Sequence, residues 1–480
     1  MNHLNHSSPR RLHAVAMLIS AAAVVLRLTL PGVTVSPDGV LYLRLAENLG
    51  RHFCLSESDP LTAECAPSWG GQPPGYPLFI ASIGRLFGYA PTTIIAAQSL
   101  AFGIALCYLL ISAGRLKVSR TLLFVSVAVV AFSPAVAGVS RWILTETVAA
   151  SAVLWVLAEC YRSIGAGRVS VPRVSLAVVA AAMMRWDMIF VAVLPIGVAA
   201  TLHPPRIAFG KIVRICGAAV APYAVLVLRA GLIGLPLLPP SVRATPQEVP
   251  PGVLHFWETA AITERATATF LWGVWTRDYR AIRRHEDWNS FLPLRTPAEF
   301  DGLFESLAAL EDGQSVPAVE GQEFEAEARR LAVDGGWSYR VRVLLARAYQ
   351  LWNGRESIFG WFFTNRTPYV RVLRRVADAE RSLFLVLLLI GLWCARSTLA
   401  RNVLAGILAV VCLRTAFLAG VTALEIRYLI PTLPLVQFGA VAGWAFRTSK
   451  PGAELAAAGT ASSGRLQTLE DQSPDAPPDR

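Results

Sequence analysis

Long apolar runs separated by short polar stretches organise this chain. Runs long enough to cross a bilayer fall near 12–30, 92–113, 121–139, 142–161, 210–233, 380–396, 400–420 and 428–446. A helical span takes about 20 residues. One further apolar stretch, 174–201, is long for a single pass and short for two, and Arg185-Trp186-Asp187 interrupts it. The pattern predicts an all-α polytopic membrane protein. Between the runs lie two larger polar regions, 31–91 and 234–378. The second is Pro-rich at 236–251 and shows amphipathic helical stretches near 255–285 and 320–350.

Composition agrees with a membrane protein. Hydrophobic residues make up 54% of the 480 and charged residues 16%, against roughly 25% charged in an average soluble protein. The net charge of +11 is read as topology and not as a nucleic-acid footprint, because the Arg residues gather in short loops between apolar runs. With the N-terminus inside, Arg115, Lys117 and Arg120 fall inside, as do Arg162, Arg168 and Arg173. If 174–201 folds back at Arg185-Trp186-Asp187, then Arg206, Lys211 and Arg214 also return inside, together with Arg396, Arg401, Arg447 and Lys450. This gives about ten transmembrane helices with both termini cytoplasmic. Arg10 and Arg11 before the first run are expected to start a retained helix rather than a cleaved signal peptide.

The expected organisation is an N-terminal transmembrane module (1–233) with a first outer loop (31–91) and a mixed, mainly helical extracytoplasmic domain (234–378). C-terminal transmembrane helices (379–450) follow, then a disordered cytoplasmic tail (451–480). In the outer domain Glu323, Glu325, Glu327, Arg329 and Arg330 read as a solvated helix face. Trp272, Trp275, Trp352, Trp361, Phe362 and Phe363 fit either the lipid interface or the domain's own core. Cys107, Cys160, Cys216, Cys394 and Cys412 lie in or beside apolar runs and behave as small hydrophobes. Cys54 and Cys65 share the first outer loop, where a disulfide is a candidate pairing.

In this topology the polar residues bordering the runs sort to the outer face. They are Asp38, the Gln72-Pro73-Pro74-Gly75-Tyr76 turn, Arg141, Glu146, Arg185, Asp187, Glu425 and Arg427. Charges beside membrane helices are costly and usually face a cavity or a partner. Each also has a plain structural reading. Asp38 suits a helix N-cap after Pro37, and the Pro-Pro-Gly sequence suits a turn. Glu146 suits the first turn of a helix with Arg141 as an interfacial anchor, and Arg185 and Asp187 suit a pair at a hairpin tip.

No Walker A sequence, no dinucleotide fingerprint and no GxSxG elbow occurs. No cytosolic segment is large enough to bind ATP or a nucleotide sugar. An enzyme with these residues outside needs a substrate delivered there, and a lipid-linked donor fits.

Asp38-x-x-x-Tyr42-x-x-x-Ala46-x-x-Leu49, followed by Pro73-Pro74-Gly75-Tyr76-Pro77-Leu78-Phe79 and Leu86-Phe87-Gly88, resembles the first outer loop of GT-C glycosyltransferases. The likeness is to bacterial members related to protein O-mannosyltransferases and aminoarabinose transferases. Leu144-Thr145-Glu146-Thr147, Met184-Arg185-Trp186-Asp187 and Glu425-Ile426-Arg427-Tyr428-Leu429-Ile430-Pro431 resemble three later islands of that family. The resemblance implies a GT-C-like bundle in the inner (cell) membrane, with its active site facing the periplasm or cell exterior. It implies an inverting transfer from a polyprenyl-phosphate sugar donor to a glycan, lipid or protein acceptor. Asp38 would be the catalytic base, and Tyr42, Gln72, Pro73, Pro74, Tyr76, Arg141, Glu146, Arg185, Asp187, Glu425 and Arg427 would line the substrate site. Many relatives carry a second acid directly after the first, where this chain has Gly39, so neither a metal site nor another cofactor is expected. The competing reading is a transporter or flippase for an amphiphilic substrate, which would show interrupted helices in both halves. A non-catalytic assembly protein is a third.

Overall fold

The computed structural model describes residues 9–30, 35–61, 73–116, 119–232, 255–256, 259–262, 318–353, 368–395, 397–420 and 426–447. The chain enters as α1 (Pro9–Thr29) and leaves the bundle into two short helices, α2 (Pro37–His52) and α3 (Gly75–Phe87). It returns through α4 (Pro91–Ala113), then α5 (Arg120–Phe132), α6 (Pro134–Val139) and α7 (Thr145–Gly165). Next come α8 (Val171–Met184), the 3-10 helix Trp186–Ala192, α9 (Val193–Leu202) and α10 (Pro205–Leu232). Two amphipathic helices, α11 (Ala318–Asp334) and α12 (Gly336–Asn353), precede α13 (Pro368–Cys394) and α14 (Thr398–Gly420). The 3-10 helix Ile426–Leu429 and α15 (Leu433–Arg447) close the bundle. Every described element is helical, as the apolar periodicity predicts.

Helix α7 is the axis of the bundle. It packs on α4, α8 and α9 and is buried along almost its whole length. Helices α1 and α10 lie at the periphery, with apolar side chains such as Met17, Leu18, Val225 and Leu228 exposed. On a protein in water such a surface would be a liability; on a polytopic one it faces lipid. A single apolar cluster runs through α1, α4, α5, α7, α8, α9, α14 and α15. A second one, built from Tyr42, Ala46, Tyr76, Ile80, Ile94, Trp142, Ile143 and Val148, fastens α2 and α3 to the end of the bundle.

The ambiguous run 174–201 folds back on itself. Helix α8 ends where Arg185 turns extended (φ −153°, ψ 141°). The 3-10 helix and α9 then return the chain, so that the Val169 N–H donates to His203 Nε2 at 3.3 Å. Lys211 Nζ donates to the Val169 carbonyl at 3.0 Å, which places both ends of the hairpin together. At 14 residues, α8 is about 21 Å long, shorter than a bilayer core of about 30 Å. A short pass of this kind needs protein neighbours, and α7 and α10 both pack against α8 and α9.

Several boundaries differ from the expected ones. The run 121–139 is two helices, because Pro134 disfavours the α region at Ser133, which sits at ψ 118°. The apolar Trp142-Ile143-Leu144 is a turn and not the start of a span, with Leu144 extended at φ −142°. Helix α13 begins at Pro368, well before the apolar 380–396. Trp352 is buried, and its indole N–H donates to Thr415 Oγ1 of α14 at 3.1 Å. Gln72, Cys65, Glu425, Trp272, Trp275, Trp361, Phe362, Phe363 and the tail 451–480 lie outside the described residues.

Candidate active site

Ser36 is the N-cap of α2, its Oγ accepting from the Gly39 N–H at 3.1 Å. The cap is therefore not Asp38. Asp38 sits in the first helical turn, where a carboxylate is favoured by the helix dipole, and its side chain is free to reach across the fold. Arg427 Nη2, from the 3-10 helix Ile426–Leu429, donates to Asp38 Oδ2 at 2.7 Å. This pair lies at the rim: the Asp38 side chain is 38% exposed and that of Arg427 19%.

Below it lies a buried network. Arg185 Nη1 donates to Glu146 Oε1 at 3.1 Å and to Thr145 Oγ1 at 3.3 Å, and Arg185 Nε donates to Asp187 Oδ1 at 3.1 Å. Asp187 is shared, because Arg414 Nε donates to its other oxygen, Oδ2, at 2.7 Å. Arg414 Nη1 donates to Thr432 Oγ1 at 2.8 Å, and Nη2 donates to the Tyr428 carbonyl. The Tyr428 ring lies under both remaining cations, 4.4 Å from the Arg185 guanidinium and 5.3 Å from that of Arg427. Such contacts favour a cation over a ring face. Three carboxylates and three guanidiniums thus meet at one end of the bundle, paired one sign with the other.

The surrounding frame explains the local sequence. Gly39 packs against the turn before α7, where an added Cβ would lie 3.0 Å from the Ile143 carbonyl. Gly75 opens α3 against the end of α8, where a Cβ would lie 2.5 Å from the Met183 carbonyl. Only glycine permits that approach. Pro73 is buried beside it and Pro74 is the N-cap residue of α3. Tyr42 and Tyr76 meet edge to face with centroids 5.0 Å apart, and both are buried. The Tyr76 hydroxyl donates to Gln98 Oε1 at 3.0 Å, and Gln98 Nε2 donates to the Ser140 and Trp142 carbonyls at 2.7 and 2.8 Å. These two tyrosines build the wall that carries Asp38 and the turn before α7. Arg141 donates to the Arg27 and Leu28 carbonyls at the end of α1, a helix-capping contact.

Of the residues singled out from the sequence, the structure joins Asp38 to Arg427, and Arg185 to Glu146 and Asp187. It also supplies two that sequence reasoning missed. Arg414 interrupts the apolar run 400–420, and Gln98 the run 92–113. A lone polar residue inside a span is itself a signal, although nothing in the sequence names its partners. Cys54 is disulfide-bonded, and Cys107, Cys160, Cys216, Cys394 and Cys412 are free.

The fold and this network define a polytopic, all-helical membrane protein whose bundle carries a charge-balanced polar site at one end. No family model and no curated protein matches the chain. Two solved structures are similar to it: ArnT from Cupriavidus metallidurans bound to undecaprenyl phosphate, and ArnT from the same organism in the apo state. Each is 15% identical with a TM-score of 0.33; they cover 90% and 88% of this chain and 77% and 76% of their own. A likeness at that level carries no functional inference.

Proposed function

We propose that this protein is a membrane glycosyltransferase. It moves a sugar from a polyprenyl-phosphate donor to an acceptor hydroxyl at the extracytoplasmic face, with inversion and with Asp38 as general base. The observation that carries the reading is the rim pair: a partly exposed carboxylate 2.7 Å from a guanidinium, with the second guanidinium, Arg185, over the same Tyr428 ring. A base and a phosphate anchor are the two groups this chemistry requires, and here they are neighbours.

The acceptor hydroxyl gives its proton to an Asp38 oxygen as its own oxygen bonds to the anomeric carbon. The bond from that carbon to the phosphate oxygen breaks, and the electron pair leaves with the polyprenyl phosphate. Positioned proton transfer of this kind contributes typically ~10²–10⁴-fold. Arg427 and Arg185 take up the phosphate charge, for which the guanidinium fork is suited. In the empty site Arg427 is committed to Asp38. Donor phosphate competes for that guanidinium, so its arrival frees the carboxylate oxygen the acceptor needs. Glu146 and Asp187 hold Arg185 from two sides, and Gln72 and Glu425 belong to the same two chain segments as Pro73 and Arg427.

The test is transfer by purified protein from a polyprenyl-phosphate sugar, with Asp38→Asn as the comparison. Transfer lost in the variant supports the reading, and transfer retained refutes Asp38 as the base. The transporter reading is separated by the product, because transport leaves the donor's sugar–phosphate bond intact.

A further inference from the structure

Arg414 has no role in the reaction just described, yet it is the most committed side chain of the network. Its side chain is 1% exposed, within the apolar helix α14. Each of its three nitrogens donates to a different residue: Nε to Asp187, Nη1 to Thr432 and Nη2 to the Tyr428 carbonyl. Those partners belong to the two segments that carry the other cations. Asp187 lies two residues after Arg185 and accepts from it. Tyr428 follows Arg427, and Thr432 Oγ1 in turn donates to the Leu429 carbonyl at 2.9 Å.

We infer that Arg414 is a positioning residue that sets the spacing of the two phosphate anchors. It ties the Arg185 turn and the Arg427 turn to one rigid point. Three fixed donors leave a planar guanidinium no second arrangement, which is the property Lys lacks. Asp187 cannot do this alone, because it belongs to only one of the two segments. Thr432 and the Tyr428 carbonyl belong to the other. Arg414 therefore fixes the geometry of donor phosphate recognition without touching the donor. The inference rests on the phosphate-binding reading of Arg185 and Arg427.

The experiment compares binding of a polyprenyl monophosphate and of the corresponding polyprenol to purified protein in detergent, for wild type, Arg414→Gln, Arg414→Lys and Thr432→Val. Melting temperature is recorded for each. Wild type should bind the phosphate more tightly than the alcohol. Arg414→Gln should lose about tenfold or more of that preference, the scale of one charge-assisted hydrogen bond, while polyprenol binding stays unchanged. Arg414→Lys should restore only part of it. Thr432→Val keeps the buried charge and removes one anchor, so it should fold and show a smaller loss of the same kind; it carries the test if Arg414→Gln does not fold. A lowered melting temperature with the phosphate preference intact in these variants overturns the inference and leaves Arg414 a structural residue. A wild type that binds both ligands equally overturns instead the reading of Arg185 and Arg427 as phosphate anchors, and this inference with it.

Discussion

Two ion pairs of this protein have the same chemistry and the same length but opposite settings. Asp38–Arg427 and Asp187–Arg414 both close at 2.7 Å. The first stands at the rim, with side chains 38% and 19% exposed; the second is sealed at 4% and 1%. Water competes for the rim pair and screens it, so it contributes little to stability and its partners can be exchanged. The buried pair has no such competitor, and removing either member strands a charge in a low-dielectric interior. Equal distances therefore describe a working contact in one place and a fixed brace in the other. Only the difference in burial separates the two.

The largest expected effect falls on the rim. Asp38→Asn keeps the shape and the first-turn position but cannot take a proton, so transfer should drop by ~10²–10⁴-fold. Melting temperature should hardly move, and a folded, fully active variant would break the comparison at its first term. The floor should behave in the reverse manner. Asp187→Asn leaves Arg414 and Arg185 without their shared carboxylate, and unfolding should become easier by about 3–5 kcal/mol. Arg427→Gln should cost no more than about 1 kcal/mol. Thermal unfolding of the two variants side by side checks the contrast, and equal losses would erase the distinction between rim and floor.

Topology offers a third test. Thr201 Oγ1 accepts from Asn402 Nδ2 at 3.1 Å, and His203 from the Val169 N–H, so the ends of the folded-back hairpin and the start of α14 share one end of the bundle. Single cysteines placed at His203 and Arg401, in a chain otherwise free of exposed thiols, should label from one side of the membrane. A cysteine at exposed Val40, beside Asp38, should label from the other. Labelling of all three from one side would undo the hairpin.

Much of the site was legible because membrane sequences make polar residues conspicuous. Asp38, Glu146, Arg185, Asp187 and Arg427 each border an apolar run, and a charge bookkeeping over the loops brings them to one face. The pairing was not legible. Nothing between positions 38 and 427 records that two turns from opposite ends of the chain meet, since that contact is decided by how α15 and α2 pack onto the bundle. Arg414 escaped for a different reason: averaged over a span, one Arg among Leu, Val and Ala barely lowers the hydropathy. Helix boundaries failed where hydropathy and helicity part company. Residues 142–144 are apolar and form a turn, whereas the start of α13 carries Arg375, Asp378, Glu380 and Arg381 and is helical. There Glu380 accepts from Ser133 Oγ at 2.7 Å and from the Ala135 N–H at 3.1 Å, which secures the α5–α6 break.

The smallest effect belongs to a third setting, the solvated face of α11, and it marks the lower end of the same scale. Glu325 Oε1 accepts from Arg329 Nε at 2.8 Å, and Oε2 contacts His255 Nδ1 at 2.9 Å. Arg329 is mostly exposed. The hydrogen bond from Arg329, and next the contact with His255, hold the Glu325 carboxyl below its ordinary range. A depressed carboxylate stabilises the fold at pH above its unfolded value and loses that contribution as pH falls through its folded one. Arg329→Ala should therefore weaken the protein by only about 0.3–0.5 kcal/mol at neutral pH, the usual worth of an exposed i,i+4 pair. The difference from wild type should vanish in acid, where Glu325 is protonated in both. A loss in this variant as large as that of Asp187→Asn would mean that burial is not what distinguishes these pairs.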